Sequence, residues 1–83
     1  MKKILLDARE MEHPEPLQIA LTHLRTMEDN EYLYMINLRK PIPLIEIVKE
    51  KEFIYITHQD NQEIWHILIS KNSNYNLEAL LNV

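Results

Sequence analysis

Two segments of this chain, "HPEPLQIA" from His13 and "KPIPLIEI" from Lys40, repeat one arrangement. Each places Pro-x-Pro-Leu directly after an apolar run and at the head of an amphipathic one. Proline holds φ near about −65° and has no N–H, so it suits the first helical turn and breaks a helix almost anywhere else. Each copy therefore reads as strand, re-entry, helix, and the chain must begin as two successive βα units. The plain account of the echo is that proline starts helices well in any context. The functional account is that two helix N-termini face one rim of the sheet and make it hospitable to an anion.

Periodicity supplies the remaining elements. Ile4, Leu5 and Leu6 fall together in residues 2–7, which suits a strand shielded on both faces. In residues 15–28, Leu17, Ala20, Leu21, Leu24 and Met27 recur at spacings of three and four and line one helical face. "MEDNE" makes a turn, and residues 31–38 form a second strand. "RKPIP" then resets the chain before a short helix over residues 44–51 that starts near Pro43. Residues 53–59 and 63–71 are β-rich runs joined by "DNQ", an antiparallel hairpin with a three-residue loop centred on Asn61. Symmetric pairing about Asn61 sets His58 opposite Ile64, with His66 one pleat step further on the same side. Residues 1–71 are read as one domain, and residues 72–83 as a polar tail ending in the weakly amphipathic "LEALL". The expected architecture is an α/β (α+β) two-layer sandwich of order β-α-β-α-β-β. Its four-stranded mixed sheet carries two helices on one face.

Composition narrows the function. With 83 residues and 46% hydrophobic content the chain can build one small core without staples. It has no cysteine, so it offers no disulfide, thiol nucleophile or thiolate metal site. A net charge of −4 argues against a nucleic-acid footprint. The absence of an apolar run of about 18 residues, and of a secretory h-region, points to a cytoplasmic protein that does not enter a membrane. There is no glycine either, so turns that need a positive φ are expected on Asn or Asp.

"LDAREMEHPEP", Leu6 to Pro16, resembles the "LDxxGxxCPxP" signature of the TusA/SirA-like sulfur carriers, and more closely a cysteine-less branch of uncharacterised bacterial domains grouped with them. "YMINLRKPIPLIEIVKEKEFIY" and "IWHILISK" extend the likeness over residues 5–71. The resemblance implies the TusA-like two-layer sandwich. It also implies two losses: the family glycine is Glu10 here, and the persulfide-bearing cysteine is His13. An imidazole cannot hold a sulfane sulfur as a thiolate does.

Arg9, His13, Glu15, Arg39 and Lys40 are the candidate ligand site. If the first two strands are parallel neighbours, their carboxyl ends share one rim, where open α/β sheets often bind ligands. Cations beside helix N-termini suit a carboxylate, a phosphate or an acidic partner; solvated loop charge is the plain alternative. No nucleophile with an adjacent base and no glycine-rich phosphate loop accompanies them, so no catalytic residue and no cofactor is assigned. An accessory role in sulfur transfer or redox metabolism is the alternative function. The four histidines, His13, His23, His58 and His66, fit no standard ligand spacing, and a weak His-dependent metal contact is the third reading.

Both alternating sets of strand residues are apolar, yet two helices cover one face. Leu33, Met35, Phe53, Tyr55, Trp65, Ile67 and Ile69 are assigned to the helices, following the branch pattern. The other set includes Tyr34, Ile36, Ile54, Ile56, His66 and Leu68 and leaves a large apolar face. A protein partner or a homodimer is the expected cover, with the "LEALL" tail as the other occupant.

Overall fold

The computed structural model describes residues 1–82, so Val83 of the expected tail lies outside the described residues. The chain runs β1 (Lys2–Asp7), α1 (Glu15–Thr26), β2 (Glu31–Asn37), α2 (Ile42–Glu50), β3 (Ile54–Gln59) and β4 (Trp65–Ser70). A 3₁₀ turn, Leu77–Leu80, follows them. The sheet order is β1-β2-β4-β3; β1 and β2 are parallel, and β4 pairs antiparallel with both β2 and β3. This is the mixed four-stranded α+β sandwich that the two βα units and the hairpin require.

Both helices begin on proline, with Pro14 and Pro41 at their N-caps and Pro16 and Pro43 inside their first turns. Each buries a stripe at helical spacing, with Ala20 and Leu24 from α1, and Leu44 and Val48 from α2, against Leu33, Met35, Ile67 and Ile69 of the sheet. Phe53, Tyr55 and Trp65 pack at the edge of this core, so the strand set assigned to the helices is the one that meets them.

β1 departs from the expectation. It forms an edge of the sheet, and Leu6 faces the core while Leu5 is 56% exposed. Its second face lacks a cover because the C-terminal segment lies over β3 and β4.

The hairpin is displaced by one residue from the expected loop. His58 pairs with His66 rather than Ile64, and Gln59 pairs with Trp65. The Asp60 carboxylate decides this, because its Oδ1 accepts from the amides of Gln62 (2.8 Å) and Ile64 (3.0 Å). With Asp60 at the first corner of the turn, the loop becomes Asn61, Gln62 and Glu63, closed by Asp60 N–H to Ile64 O at 2.9 Å. A shift of one in the loop centre moves the register by two, so no side chain changes face.

Positive φ falls on Glu52 (59°) and Glu63 (65°), not on Asn or Asp. Glu52 follows α2, where Phe53 N–H returns to Val48 O (3.2 Å) and Glu52 N–H to Lys49 O (3.1 Å). That double closure requires a left-handed residue after the C-cap. Glu63 ends the type I turn of the hairpin, where a left-handed residue completes a three-residue loop. Helix and turn geometry choose the position, and the chain has no glycine to offer there.

The second sheet face is covered by the chain itself. Leu77 is buried against Tyr32, Tyr34 and Leu68, with Leu80 and Leu81 packed alongside. Of the residues expected to meet a partner, Tyr34, His66 and Leu68 are buried beneath this segment, and Ile36, Ile54 and Ile56 are half-buried. The tail is the occupant, because "LEALL" turned into one 3₁₀ turn brings its leucines onto the strip that the helices leave bare. Residues 72–82 thus pack onto the domain rather than trailing from it.

Candidate functional site

The carboxyl ends of β1 and β2 are adjacent, and the connections that leave them run into the starts of α1 and α2. Between these connections is a pocket of about 470 Å³. One wall is Met11, Glu12, His13, Pro16 and Leu17; the other is Asn37, Arg39, Lys40, Pro41, Pro43 and Leu44, with Met35 between them. The two Pro-x-Pro segments therefore face each other across one space. His13 precedes Pro14 through a cis bond and is exposed at the pocket.

Three of the five expected ligand residues meet here: His13, Arg39 and Lys40. Arg9 does not join them. Its guanidinium is spent on Asp7, with Nε to Oδ1 at 2.9 Å and Nη2 to Oδ2 at 2.7 Å, and this pairing holds the Asp7 carboxyl down to about 2. Glu15 is exposed in the first turn of α1 and does not line the pocket. Lys40 Nζ stands 5.4 Å from the centre of the Trp65 ring, a cation–π contact that leaves its remaining protons for a ligand. Glu12 is the single carboxylate in the lining, so the cations exceed the anions by one when His13 is neutral.

The prolines change what the helix ends can donate. A helix start normally leaves its first N–H groups without partners. In α1, Glu15 N–H is taken by Glu12 O, Pro16 has none, and Gln18 N–H is taken by Pro14 O. In α2, Ile42 N–H reaches Lys40 O, Pro43 has none, and Ile45 N–H is taken by Pro41 O. Leu17 and Leu44 keep the N–H groups with no acceptor among the described residues, one from each helix, and both residues line the pocket. Pro-x-Pro thus leaves each helix N-terminus a single N–H without an acceptor among the described residues.

A model of the family described as "Uncharacterized conserved protein (DUF2249)" matches residues 5–71. The chain belongs to the DUF2249 family. No curated protein and no solved structure matches it. Every residue of the rim pocket lies inside the DUF2249 span, whereas the segment that covers the second sheet face lies beyond it. No helix among the described residues is long and apolar enough to cross a membrane.

The histidines of this DUF2249 domain are dispersed. His13 is at the pocket, His23 is half-buried on α1, His58 is exposed on β3 and His66 is buried on β4. Among the described residues no three His, Asp or Glu side chains are placed to hold a metal ion.

Sequence reasoning missed one polar cluster. Tyr34 Oη lies 2.8 Å from His66 Nδ1, and His66 Nε2 lies 2.9 Å from Asp60 Oδ2. The Asp60 carboxyl is held below its usual range, chiefly by this bond to His66 and further by the loop amides. The signal was present: a histidine and a tyrosine on the same face of two apolar strands need polar partners when that face is covered.

Proposed function

We propose that this DUF2249 domain is a non-enzymatic recognition module on a TusA-like scaffold, and that the rim pocket takes a small organic anion. The observation that carries this reading is the convergence of Arg39, Lys40 and His13 on one pocket of about 470 Å³. That volume suits a small molecule. Met11 and Leu17 supply a partly exposed apolar wall, which an inorganic ion would leave unused. The expected ligand is a carboxylate or similar acid with an apolar body. No hydroxyl or thiol side chain lines the pocket, so it offers no serine- or cysteine-type nucleophile for acyl transfer.

A second reading, an accessory role in sulfur transfer or redox metabolism, draws support from His13 alone. It lines the pocket at the position where the resembled carriers bear their cysteine. On that reading any covalently carried sulfur stays on a cysteine of another protein, which docks at this same rim.

Amide shift mapping tests the main reading. Benzoate, inorganic phosphate and benzyl alcohol are titrated into the wild-type chain and into an Arg39→Ala/Lys40→Ala variant. Benzoate is expected to shift the amides of Leu17, Arg39 and Leu44 saturably in the wild type only, with a weaker effect from phosphate and none from the alcohol. Equal shifts in the double variant, or no saturable shift with any anion, would overturn it.

A further inference from the structure

A deeply buried polar pair lies away from the pocket, on the sheet face that the C-terminal segment covers. The His66 side chain is 9% exposed, and Tyr34 is 1% exposed. Tyr34 Oη contacts His66 Nδ1 and also accepts from the Asn82 N–H at 3.0 Å, and His66 Nε2 meets Asp60 Oδ2. An amide N–H only donates and an ionised carboxylate only accepts, so the two ends of this series fix the hydrogens between them. The Asn82 N–H points to Tyr34 Oη, the Tyr34 hydroxyl donates to a bare His66 Nδ1, and His66 Nε2–H donates to Asp60. Every member is satisfied when the ring is neutral.

We propose that this relay is an acid-released latch, in which protonation of His66 at Nδ1 uncouples Asn82 from Tyr34 and lifts the C-terminal segment off the sheet. Nε2 already carries its hydrogen toward Asp60, so an added proton can go only to the Nδ1 lone pair. Nδ1 then donates to Tyr34 Oη from the side where the hydroxyl hydrogen lay, and that hydrogen, which prefers the ring plane, can turn only toward the Asn82 N–H, donor against donor. The groups facing His66 are Asp60 on the hairpin loop, Tyr34 on β2 and His58 on β3, whose ring centroid is 6.5 Å away. Lys3 of β1 stands 4.6 Å from the Tyr34 ring centre, and Glu78 of the C-terminal segment shares a hollow with His58. Apart from this bond the segment is held by Leu77, its one deeply buried residue among those described, with Leu80 and Leu81 packed alongside, and its helical turn spans four residues. Release would bare Tyr32, Tyr34 and Leu68, an apolar strip that neutral pH keeps covered.

The test is amide exchange in the full chain from pH 7.5 to pH 5.5, corrected for the intrinsic pH dependence, with the His66 ring followed by NMR. As the ring protonates, the protection of the Asn82 amide is expected to fall about tenfold, the scale of one buried hydrogen bond. Leu33, Met35 and Ile67 in the core should keep theirs. His58→Gln is expected to leave the transition in place, and Tyr34→Phe to weaken Asn82 protection at both ends of the range. A ring that stays neutral to pH 5.5 would overturn the latch. So would a protonated ring with Asn82 still protected, loss of the transition in His58→Gln, unchanged protection in Tyr34→Phe, or loss of protection across the whole sheet at once.

Discussion

Phe53 donates its backbone N–H to the carbonyl of Val48 at 3.2 Å, and the closure forces Glu52 between them to a φ of 59°. A side chain with a Cβ pays about 1–2 kcal/mol in that region. Glycine avoids this but adds about 0.4–1 kcal/mol of unfolded-chain entropy. Glu52→Gly is therefore expected to stabilise the fold by about 0.5 kcal/mol, a gain of roughly 2–4 °C in Tm for a domain of this size. Thermal unfolding checks it, and a lower Tm would show that Glu52 makes contacts worth more than the strain.

Arg9 and Asp7 form a closed pair outside the pocket. Arg9→Ala is expected to raise the Asp7 carboxyl from about 2 toward its ordinary value of 3.8, read by NMR titration of that side chain. The same variant should bind benzoate as the wild type does. Weakened binding would mean that the guanidinium leaves Asp7 for the ligand.

Asp60 gives the hairpin an acid sensitivity of defined sign. Its folded-state carboxyl is held below the ordinary value of 3.8, so its contribution to stability is complete above that value and is lost as the pH falls through the lowered one. Asp60→Asn should lower Tm at neutral pH by removing the acceptor for His66 Nε2–H. The gap to wild type should then narrow only below about pH 3.8. A gap that persists unchanged to pH 2 would contradict this account.

The cover over the second face rests mainly on Leu77. Leu77→Ala is expected to cost about 2 kcal/mol, the lower end for a buried leucine, because the segment can detach before the sheet melts. A chain truncated after Tyr75 would present Tyr32, Tyr34 and Leu68 to water and should self-associate with rising concentration in sedimentation. If the truncated chain stays monomeric and soluble, this strip needs no cover.

The rim was only half legible in the sequence. His13, Arg39 and Lys40 could be placed there because each follows a strand and precedes a proline-started helix, and chain order alone puts such residues at one end of a parallel pair. Arg9 follows β1 in the same way, yet it turns back on Asp7 two residues before it, a local competition that position in the topology does not resolve. Glu15 failed differently, since a residue in a first turn can face the pocket or the solvent, and packing of the helix sets which.

Element order was determined by the sequence alone, through proline's fixed φ and periods of two and about 3.6, all properties of neighbouring residues. The helix-facing strand set followed from the family resemblance, and the meeting of the two Pro-x-Pro segments hung on a condition that the parallel pairing of β1 with β2 meets. Tertiary structure decided the hairpin register, the residues that accept a positive φ and what lies on the second sheet face. Each of those depends on a contact whose partner no local pattern specifies: a carboxylate closing its own loop, a helix end folding back, and Asn82 reaching Tyr34 from 48 residues away.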